Sequence, residues 1–322
     1  MTSDDHPRIA YDVFERHVVA GRISRNDEDL HEVLEGLRPD LVIFDNRGRT
    51  AQVRFAASLG ARVIYIATQK HFLRRTLRPQ RLWNIHELWV VQRRFRPGPS
   101  RLPVLQRACV ALSPGLRFRN FDAILPEPCE QRAAELRAKL KLDGMPYVVF
   151  AAGGGGYHHE GRPVAEVFGE AAMRAARDRG VRSVLVMGPL YHGQGYAAPG
   201  VTTIESLSPP EMIDLLNGAE LVACGGGGIA AQTLTLGRPC VVTPVGGPDQ
   251  PERVARCGSA GLLEPSPLHA VSLTNRVVAL HDDVDRRLAI AERIRSCGFT
   301  NGLPAAVQRF EVLLQERGFR PS

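Results

Sequence analysis

Apolar residues in the first part of the chain alternate between helical spacing and short continuous runs. The spacing over 29–36 predicts an amphipathic helix that ends at a glycine, and a second helix is predicted over 49–59. Three apolar runs are short enough to be buried strands, namely 39–45, 62–67 and 87–91. Helices that alternate with buried strands predict a parallel sheet.

The pattern from residue 147 onward is more regular. Ser208-Pro-Pro-Glu211 has the serine cap and the third-position acid of a helix start. Predicted strands cover 147–152, 183–187, 201–204, 220–223 and 240–243; predicted helices cover 163–179, 208–217, 229–236 and 251–257, with a mainly helical remainder from 267. Such βα-type repeats predict a doubly wound sheet.

The two patterns meet near residues 126–146, so the sequence predicts two domains. We expect an α/β protein with two Rossmann-like lobes: a first lobe over residues 1–128, a linker helix within 129–146, and a second lobe over 147–322 that includes the C-terminal helices. The length of 322 residues suits two domains of roughly 120 to 180 residues each.

The composition is that of an ordinary globular protein, with 44% hydrophobic and 23% charged residues. No stretch approaches the ~20 consecutive apolar residues of a membrane span, and the polar, acidic first eight residues do not resemble a secretory signal. The six cysteines are scattered without metal-ligand spacing, so we expect reduced thiols in a cytoplasmic protein.

Positive charge is concentrated between residues 70 and 119, where Glu87 is the single acid. The basic residues are Lys70, Arg74, Arg75, Arg78, Arg81, Arg93, Arg94, Arg96, Arg101, Arg107, Arg117 and Arg119. Such an arginine block attracts polyanions: nucleic acid, anionic lipid headgroups or phosphorylated substrates. A solvated face explains it equally well, and nucleic acid is disfavoured because no nucleic-acid-binding motif accompanies the charge.

Two runs of four glycines follow predicted strands. The first consists of Gly153, Gly154, Gly155 and Gly156, and the second of Gly225, Gly226, Gly227 and Gly228. Backbone N–H groups in such turns can approach an anion closely, and a helix N-terminus adds a favourable dipole. Both runs should lie at the sheet edge where open α/β sheets bind ligands. Neither matches the dinucleotide fingerprint or the P-loop, and one run alone is also consistent with a flexible turn.

A third loop crosses the same edge after the strand over 240–243. Asp249 and Gln250 precede Pro251, which is a favourable first residue of a helix. These two residues either cap the helix or hydrogen-bond the hydroxyls of a sugar. The sequence supports both alternatives equally.

Together these motifs resemble a known family. Residues 217–244, with Asp249-Gln250 and 258–261, are similar to the donor half of GT-B glycosyltransferases, above all family 28, which includes the peptidoglycan lipid-intermediate N-acetylglucosaminyltransferase. The nucleotide-sugar hydrolase of pseudaminic acid synthesis shares the pattern. The resemblance covers about residues 147–314. It implies two GT-B-like lobes, with residues 1–128 on the acceptor side and 147–322 binding the donor. It also implies that both glycine runs cradle a diphosphate and that Asp249 and Gln250 hold the donor sugar. Gln232 occupies the position of a ribose-binding glutamate, which leaves the nucleotide preference open.

The first half departs from this family pattern. Members open with a strand, a glycine-rich turn containing a histidine, and a helix, and no such turn precedes the first predicted helix here. Either the start is truncated, or the lobe is reduced, or a partner chain completes it. Asp45, at the end of its strand, is the candidate general base or else a loop-capping acid, and His17 is a second candidate base. His158 and His159 either contact phosphate or acceptor or are inert loop residues.

The combined interpretation is an inverting glycosyltransferase that moves a sugar from a nucleotide diphosphate, expected to be UDP, to an acceptor hydroxyl. Backbone N–H groups would stabilise the departing diphosphate, so no metal and no cofactor beyond the nucleotide-sugar co-substrate are expected. A lipid-phosphate acceptor at the inner membrane face would suit the arginine block. A nucleotide-sugar hydrolase and a noncatalytic subunit that needs a partner chain remain alternatives. Gly226→Val is expected to abolish UDP binding by filling the place of the anion.

Overall fold

The structure, a computed structural model, describes residues 27–68, 75–92, 95, 108, 110–113, 115–142 and 144–316, together with the backbone of two short strands near the N-terminus. The strands are β1 Thr2–Ser3, β2 Val18–Val19, β3 Leu41–Asp45, β4 Arg62–Ala67, β5 Glu87–Val91, β6 Arg117–Phe121, β7 Val148–Ala151, β8 His158–His159, β9 Arg162–Pro163, β10 Ser183–Val186, β11 Val201–Ile204, β12 Leu221–Gly225, β13 Cys240–Thr243 and β14 Glu264–Pro265. The helices are α1 Asp27–Leu37, α2 Thr50–Ser58, α3 Pro79–Leu82, α4 Glu130–Lys139, α5 Val164–Arg179, α6 Pro209–Gly218, α7 Gly228–Thr235, α8 Gln250–Ser259, α9 Ala270–Asp282, α10 Val284–Cys297 and α11 Leu303–Gln315.

The first compact unit contains the described residues up to 92, from 108 to 124 and from 302 onward. Its main sheet has four parallel strands in the order β3-β4-β5-β6. Successive residues of a strand point to opposite faces, and the core divides accordingly. Val63 and Tyr65 pack with α1 and α2, whereas Ile64 and Trp89 pack with α11. Helices therefore cover both faces of this sheet, as a parallel sheet requires.

A buried carboxylate ties the C-terminal helix to this unit. Glu87, which is 1% exposed, accepts hydrogen bonds from Trp89 Nε1 (2.9 Å) and Arg119 Nε (3.1 Å) and forms an ion pair with Arg309 of α11. A buried charge is tolerated only when it is paired and hydrogen-bonded. The structure thus places Leu303–Gln315 with the first unit, although the sequence assigns it to the second lobe, because its apolar residues complete the first core.

The second compact unit contains Phe95 and residues 125–301. Its six parallel strands lie in the order β11-β10-β7-β12-β13-β14. From β7 the chain first adds β10 and β11 on one side and then returns to add β12 on the other. The strand order therefore reverses between β7 and β12, and such a switch point is where open α/β sheets bind ligands. This topology confirms the predicted doubly wound sheet.

The helix predicted as a linker is part of the second unit. Asp214 of α6 is 2% exposed, accepts a hydrogen bond from the Cys129 N–H (2.8 Å), and forms an ion pair with Arg132 of α4. The same α6 begins at the predicted capping box, in which Glu211 Oε2 accepts from the Ser208 N–H at 2.9 Å. Helix Glu130–Lys139 is thus fixed against α6 instead of forming a separate bridge.

Candidate ligand-binding site

The two glycine runs lie side by side at the carboxyl edge of the second sheet. Strand β7 leads into the first run and β12 into the second. These strands pair in parallel, from Leu221 opposite Val148 to Cys224 opposite Ala151. The runs therefore start at neighbouring strand ends on the two sides of the switch point, as the sequence predicts.

The first run is packed against the loop that follows β10. Gly155 has a φ of 84°, and a Cβ added there would lie 2.7 Å from Met187 O and 2.9 Å from Tyr191 N. The Leu190 N–H donates to Gly154 O at 2.9 Å. Both the backbone conformation and the available space therefore require glycine at position 155. Helix α5 does not start at this run, because the antiparallel pair β8 and β9 comes between them.

The first two glycines of the second run are also required by protein contacts. An added Cβ would lie 2.6 Å from Ala152 O at Gly225 and 2.8 Å from Val254 Cγ2 at Gly226. Both glycines are buried. An added Cβ at Gly226 would meet Val254 of helix α8, so the loss of UDP binding expected of Gly226→Val stays a prediction that a packing defect would also produce.

The last two glycines of the second run open onto a helix N-terminus. Gly227 is the cap of α7, and an added Cβ at Gly228, the first residue of that helix, would have no atom within 4 Å. The first N–H groups of a helix lack intrahelical acceptors, and a glycine cap has no side chain to satisfy them. Such N–H groups, together with the helix dipole, are able to bind an anion.

Gln232 lies one helical turn beyond the start of α7. It is four residues after Gly228, so the two share a face of α7, and its side chain is half-buried. One turn of helix spans about 5.4 Å. A phosphate at the N-terminus of α7 would therefore place the neighbouring group of the same ligand within reach of the Gln232 carboxamide.

The loop after β13 is held by its own side chains. Gln250 is 6% exposed, and its Oε1 accepts hydrogen bonds from the N–H groups of Val245 (2.8 Å) and Gly246 (3.3 Å). Asp249 forms an ion pair with the buried Arg253 and does not cap α8 with its side chain. The capping alternative is therefore not observed. The Oε1 atom of Gln250 already holds the loop. A hydrogen bond from this residue to a sugar would therefore come from Nε2.

Tyr157 connects the first glycine run to this loop, and the sequence interpretation overlooks it. Its ring packs so closely on Gly246 that an added Cβ there would lie 2.6 Å from both Cδ1 and Cε1. Nevertheless Tyr157 as a residue is 48% exposed. The signal in the sequence is an aromatic residue directly after a glycine run. Its partner glycine is distant along the chain, which makes the contact invisible before folding.

The two predicted loop histidines follow Tyr157. His158 and His159 form strand β8 and are both exposed, and His159 Nε2 lies 3.9 Å from Glu160 Oε1. They belong to the hairpin that separates the first run from α5. Their position is compatible with both interpretations of the sequence.

The candidate base Asp45 lies at the carboxyl end of β3 in the first unit, where the sequence predicts it. Its Oδ1 accepts a hydrogen bond from Asn46 Nδ2 (2.7 Å), and Asn46 Oδ1 accepts from the Thr68 N–H (2.7 Å). Partial desolvation raises the pKa of the Asp45 carboxyl, and the hydrogen bond from Asn46 opposes this shift. A raised carboxyl pKa suits a group that accepts a proton. The other candidate, His17, lies outside the described residues.

Solved structures share this fold, whereas no family model and no curated protein match the sequence. The glycosyltransferase VinC in complex with DTDP is 16% identical, with a TM-score of 0.56 over 91% of this chain and 76% of that one. The spinosyn forosaminyltransferase SpnP is 15% identical, with a TM-score of 0.58 over 92% and 86%. A UDP-N-acetylglucosamine 2-epimerase is 13% identical, with a TM-score of 0.52 over 91% and 76%. These likenesses show the GT-B type of fold, with its parallel Rossmann-like sheets.

Proposed function

We propose that this protein is a glycosyltransferase that moves a sugar from a nucleoside diphosphate donor to an acceptor hydroxyl. The observation that carries the proposal is the open N-terminus of α7 at Gly228, placed at the switch point beside the first glycine run. The fold likeness supports it, because the similar structures include named glycosyltransferases, one of them in complex with DTDP. We propose UDP as the nucleotide, in line with the family 28 resemblance.

In this proposal the second glycine run stabilises the leaving group. The acceptor oxygen attacks the anomeric carbon while the bond to the diphosphate breaks on the opposite side, so the configuration inverts. Negative charge then grows on the departing diphosphate. The N–H groups at the start of α7 are already oriented toward that charge, and preorganised donors of this kind are an effective source of transition-state stabilisation. This arrangement supplies, without a metal ion, the stabilisation that the leaving group needs.

Three side chains complete the proposed roles. Asp45 takes the proton of the acceptor hydroxyl, Gln232 hydrogen-bonds the ribose, and Asp249 contacts the donor sugar. General-base catalysis contributes about 100-fold to 10,000-fold. We therefore expect Asp45→Asn to lower kcat by at least about 100-fold while the affinity for UDP stays within about twofold. Full activity of Asp45→Asn would remove Asp45 from the reaction.

Calorimetric titration with a panel of nucleoside diphosphates and their sugars tests the central claim. We expect at least one nucleoside diphosphate and its sugar to bind to the wild-type protein. Binding of none of them would overturn the proposed function. Incubating the bound sugar nucleotide without an acceptor then separates transfer from hydrolysis, because rapid release of free sugar would identify a hydrolase.

We also propose that part of the arginine block contacts anionic lipid. Arg78 precedes α3 and Trp83 follows it; Arg78 is exposed and Trp83 is 67% exposed. Exposed cations beside an indole ring are typical of membrane-surface contacts. Arg81, in contrast, is buried and donates to Gly48 O at 2.7 Å, so it belongs to the core.

Liposome sedimentation tests this contact. No helix in the described part of the chain is long and apolar enough to cross a membrane. Association through the arginine side chains is expected to be weakened by salt. Trp83→Ala should lower the bound fraction. Sedimentation that depends on neither anionic lipid nor salt would remove the lipid contact from the proposal.

A further inference from the structure

One aromatic ring lies at the candidate site with much of its surface exposed to solvent. Tyr157 directly follows the first glycine run, and its ring packs against Gly246 in the loop after β13. Its backbone is fixed as well, because the Val164 N–H donates to Tyr157 O at 2.9 Å. The ring is therefore held on one side by protein, while the residue as a whole remains 48% exposed.

The contacts of this ring continue to the second glycine run. Gly246 donates its N–H to Gln250 Oε1 at 3.3 Å. The Gln250 carboxamide in turn lies next to the second run, since an added Cβ would be 3.3 Å from its Oε1 at Gly226 and 3.7 Å from its Nε2 at Gly227. Tyr157, the loop and the second run thus form one continuous set of contacts around the proposed diphosphate site.

We propose that Tyr157 is a specificity-determining residue whose exposed ring stacks against the sugar of the donor. This inference rests on the proposed function of the same site. A pyranose has an apolar face of C–H groups, and burying it against an aromatic ring removes apolar surface of both partners from water. A sugar nucleotide carries a nucleoside, made of the pentose and the base, on one side of its diphosphate and the transferred sugar on the other. Gln232 is assigned to the ribose, and Tyr157, on a different element, is left for the transferred sugar.

The test compares the affinity for a nucleoside diphosphate with the affinity for its sugar nucleotide, in the wild type and in variants of Tyr157. UDP, UDP-glucose, UDP-N-acetylglucosamine, dTDP and dTDP-glucose are titrated into the full-length wild type and into Tyr157→Ala, Tyr157→Leu and Tyr157→Phe. We expect Tyr157→Ala and Tyr157→Leu to weaken binding of the preferred sugar nucleotide about tenfold but that of its nucleoside diphosphate less than twofold. Tyr157→Phe, which keeps the ring, should bind both within about twofold of the wild type.

The outcomes separate this inference from the function on which it rests. A wild type that binds neither these five probes nor any other member of the nucleoside diphosphate panel overturns the proposed function itself. A wild type that binds, with Tyr157→Leu losing affinity equally for nucleotide and sugar nucleotide or for neither, overturns the stacking role alone. Thermal melting of each variant confirms that it is folded, and Tyr157→Leu keeps the test decisive if Tyr157→Ala does not fold.

Discussion

The two glycine runs have the same composition and occupy neighbouring strand ends, yet their surroundings differ. The first run is packed against the loop after β10 and continues into the hairpin that contains His158 and His159. The second run starts with packed glycines but ends at Gly228, where an added Cβ would meet no atom within 4 Å and a helix begins. We therefore expect the first run mainly to shape the site and the second to offer N–H groups to a ligand.

This difference teaches that a glycine run is not a single signal. A glycine is needed in one place because protein atoms are too close, and in another because a ligand must approach. Only the partners of each position distinguish the two cases. Substitutions within the two runs should therefore separate into those that lower stability and those that lower affinity.

The largest effect is expected from Gly155→Ala in the first run. The left-handed backbone and the approach of Met187 O to 2.7 Å should lower the free energy of unfolding by about 3 kcal/mol. Urea denaturation measures this change. Gly154→Ala is the matched control, because its Cβ would meet only Leu190 Cδ1 at 3.9 Å, and it should change stability by less than about 0.5 kcal/mol. Equal urea midpoints for the two variants would show that the first run is not a packing element.

The next effect is expected from Gly228→Val in the second run. The side chain would stand in the open space before the first N–H groups of α7, so the affinity for UDP should fall at least tenfold, which corresponds to about 1.4 kcal/mol. Calorimetry measures the affinity, and the melting temperature should stay close to that of the wild type. Gly226→Val should also lose stability, because its Cβ would lie 2.8 Å from Val254 Cγ2. Undiminished UDP binding by folded Gly228→Val would place the ligand elsewhere.

A smaller effect on UDP affinity is expected from Gln232, which follows the second run, and none from the two histidines that follow the first. Gln232→Ala, one turn beyond the second run, removes the proposed ribose contact and should weaken UDP binding about fivefold, or ~1 kcal/mol for a lost hydrogen bond. Binding of inorganic pyrophosphate should not change, since it lacks the ribose. His158→Ala and His159→Ala, beyond the first run, are the matched controls and should keep UDP affinity within twofold. If the histidine variants lose more affinity than Gln232→Ala, the roles of the two runs are reversed.

Much of the second sheet could be predicted because its strands are buried on both faces. Strands Val201–Ile204 and Cys240–Thr243 have the bounds that the sequence predicts, and β12 begins within one residue of its prediction. Buried parallel strands appear as continuous apolar runs. Strand Arg117–Phe121 was not predicted from the sequence. It is the last strand of its sheet order, and four of its five residues are not buried, so it lacks a continuous apolar run.

The features that could not be predicted from the sequence depend on contacts between residues that are distant along the chain. The helical pattern of Leu303–Gln315 is visible, but its assignment to the first core depends on the pairing of Arg309 with Glu87, 222 residues away. The glycine runs are equally visible. Which of them is open depends on Val254, Met187 and Tyr191, and none of these residues carries a recognisable motif.

Neither glycine run can act as a general base, because peptide groups are too weakly basic to take up a proton, and this leaves the base to another part of the chain. In Asp45 the pKa is raised by partial desolvation and lowered by the hydrogen bond from Asn46. The carboxylate form is the base, so activity should rise with pH through this raised pKa. Glycine adopts the φ of 57° at position 46 without strain, and Asn46→Gly removes the hydrogen bond that lowers the pKa of Asp45. The acid limb of the kcat/KM profile should therefore move to higher pH.

The control for this shift is Thr68→Val. That variant loses the hydrogen bond from Thr68 Oγ1 to Asn46 Oδ1 (2.7 Å) but leaves the bond between Asn46 Nδ2 and Asp45 in place. Its acid limb should stay where the wild type has it. If both variants shift equally, the turn as a whole sets the profile. If neither shifts, the group titrating in the acid limb is not Asp45, and the proton of the acceptor must be taken by a residue outside this strand end.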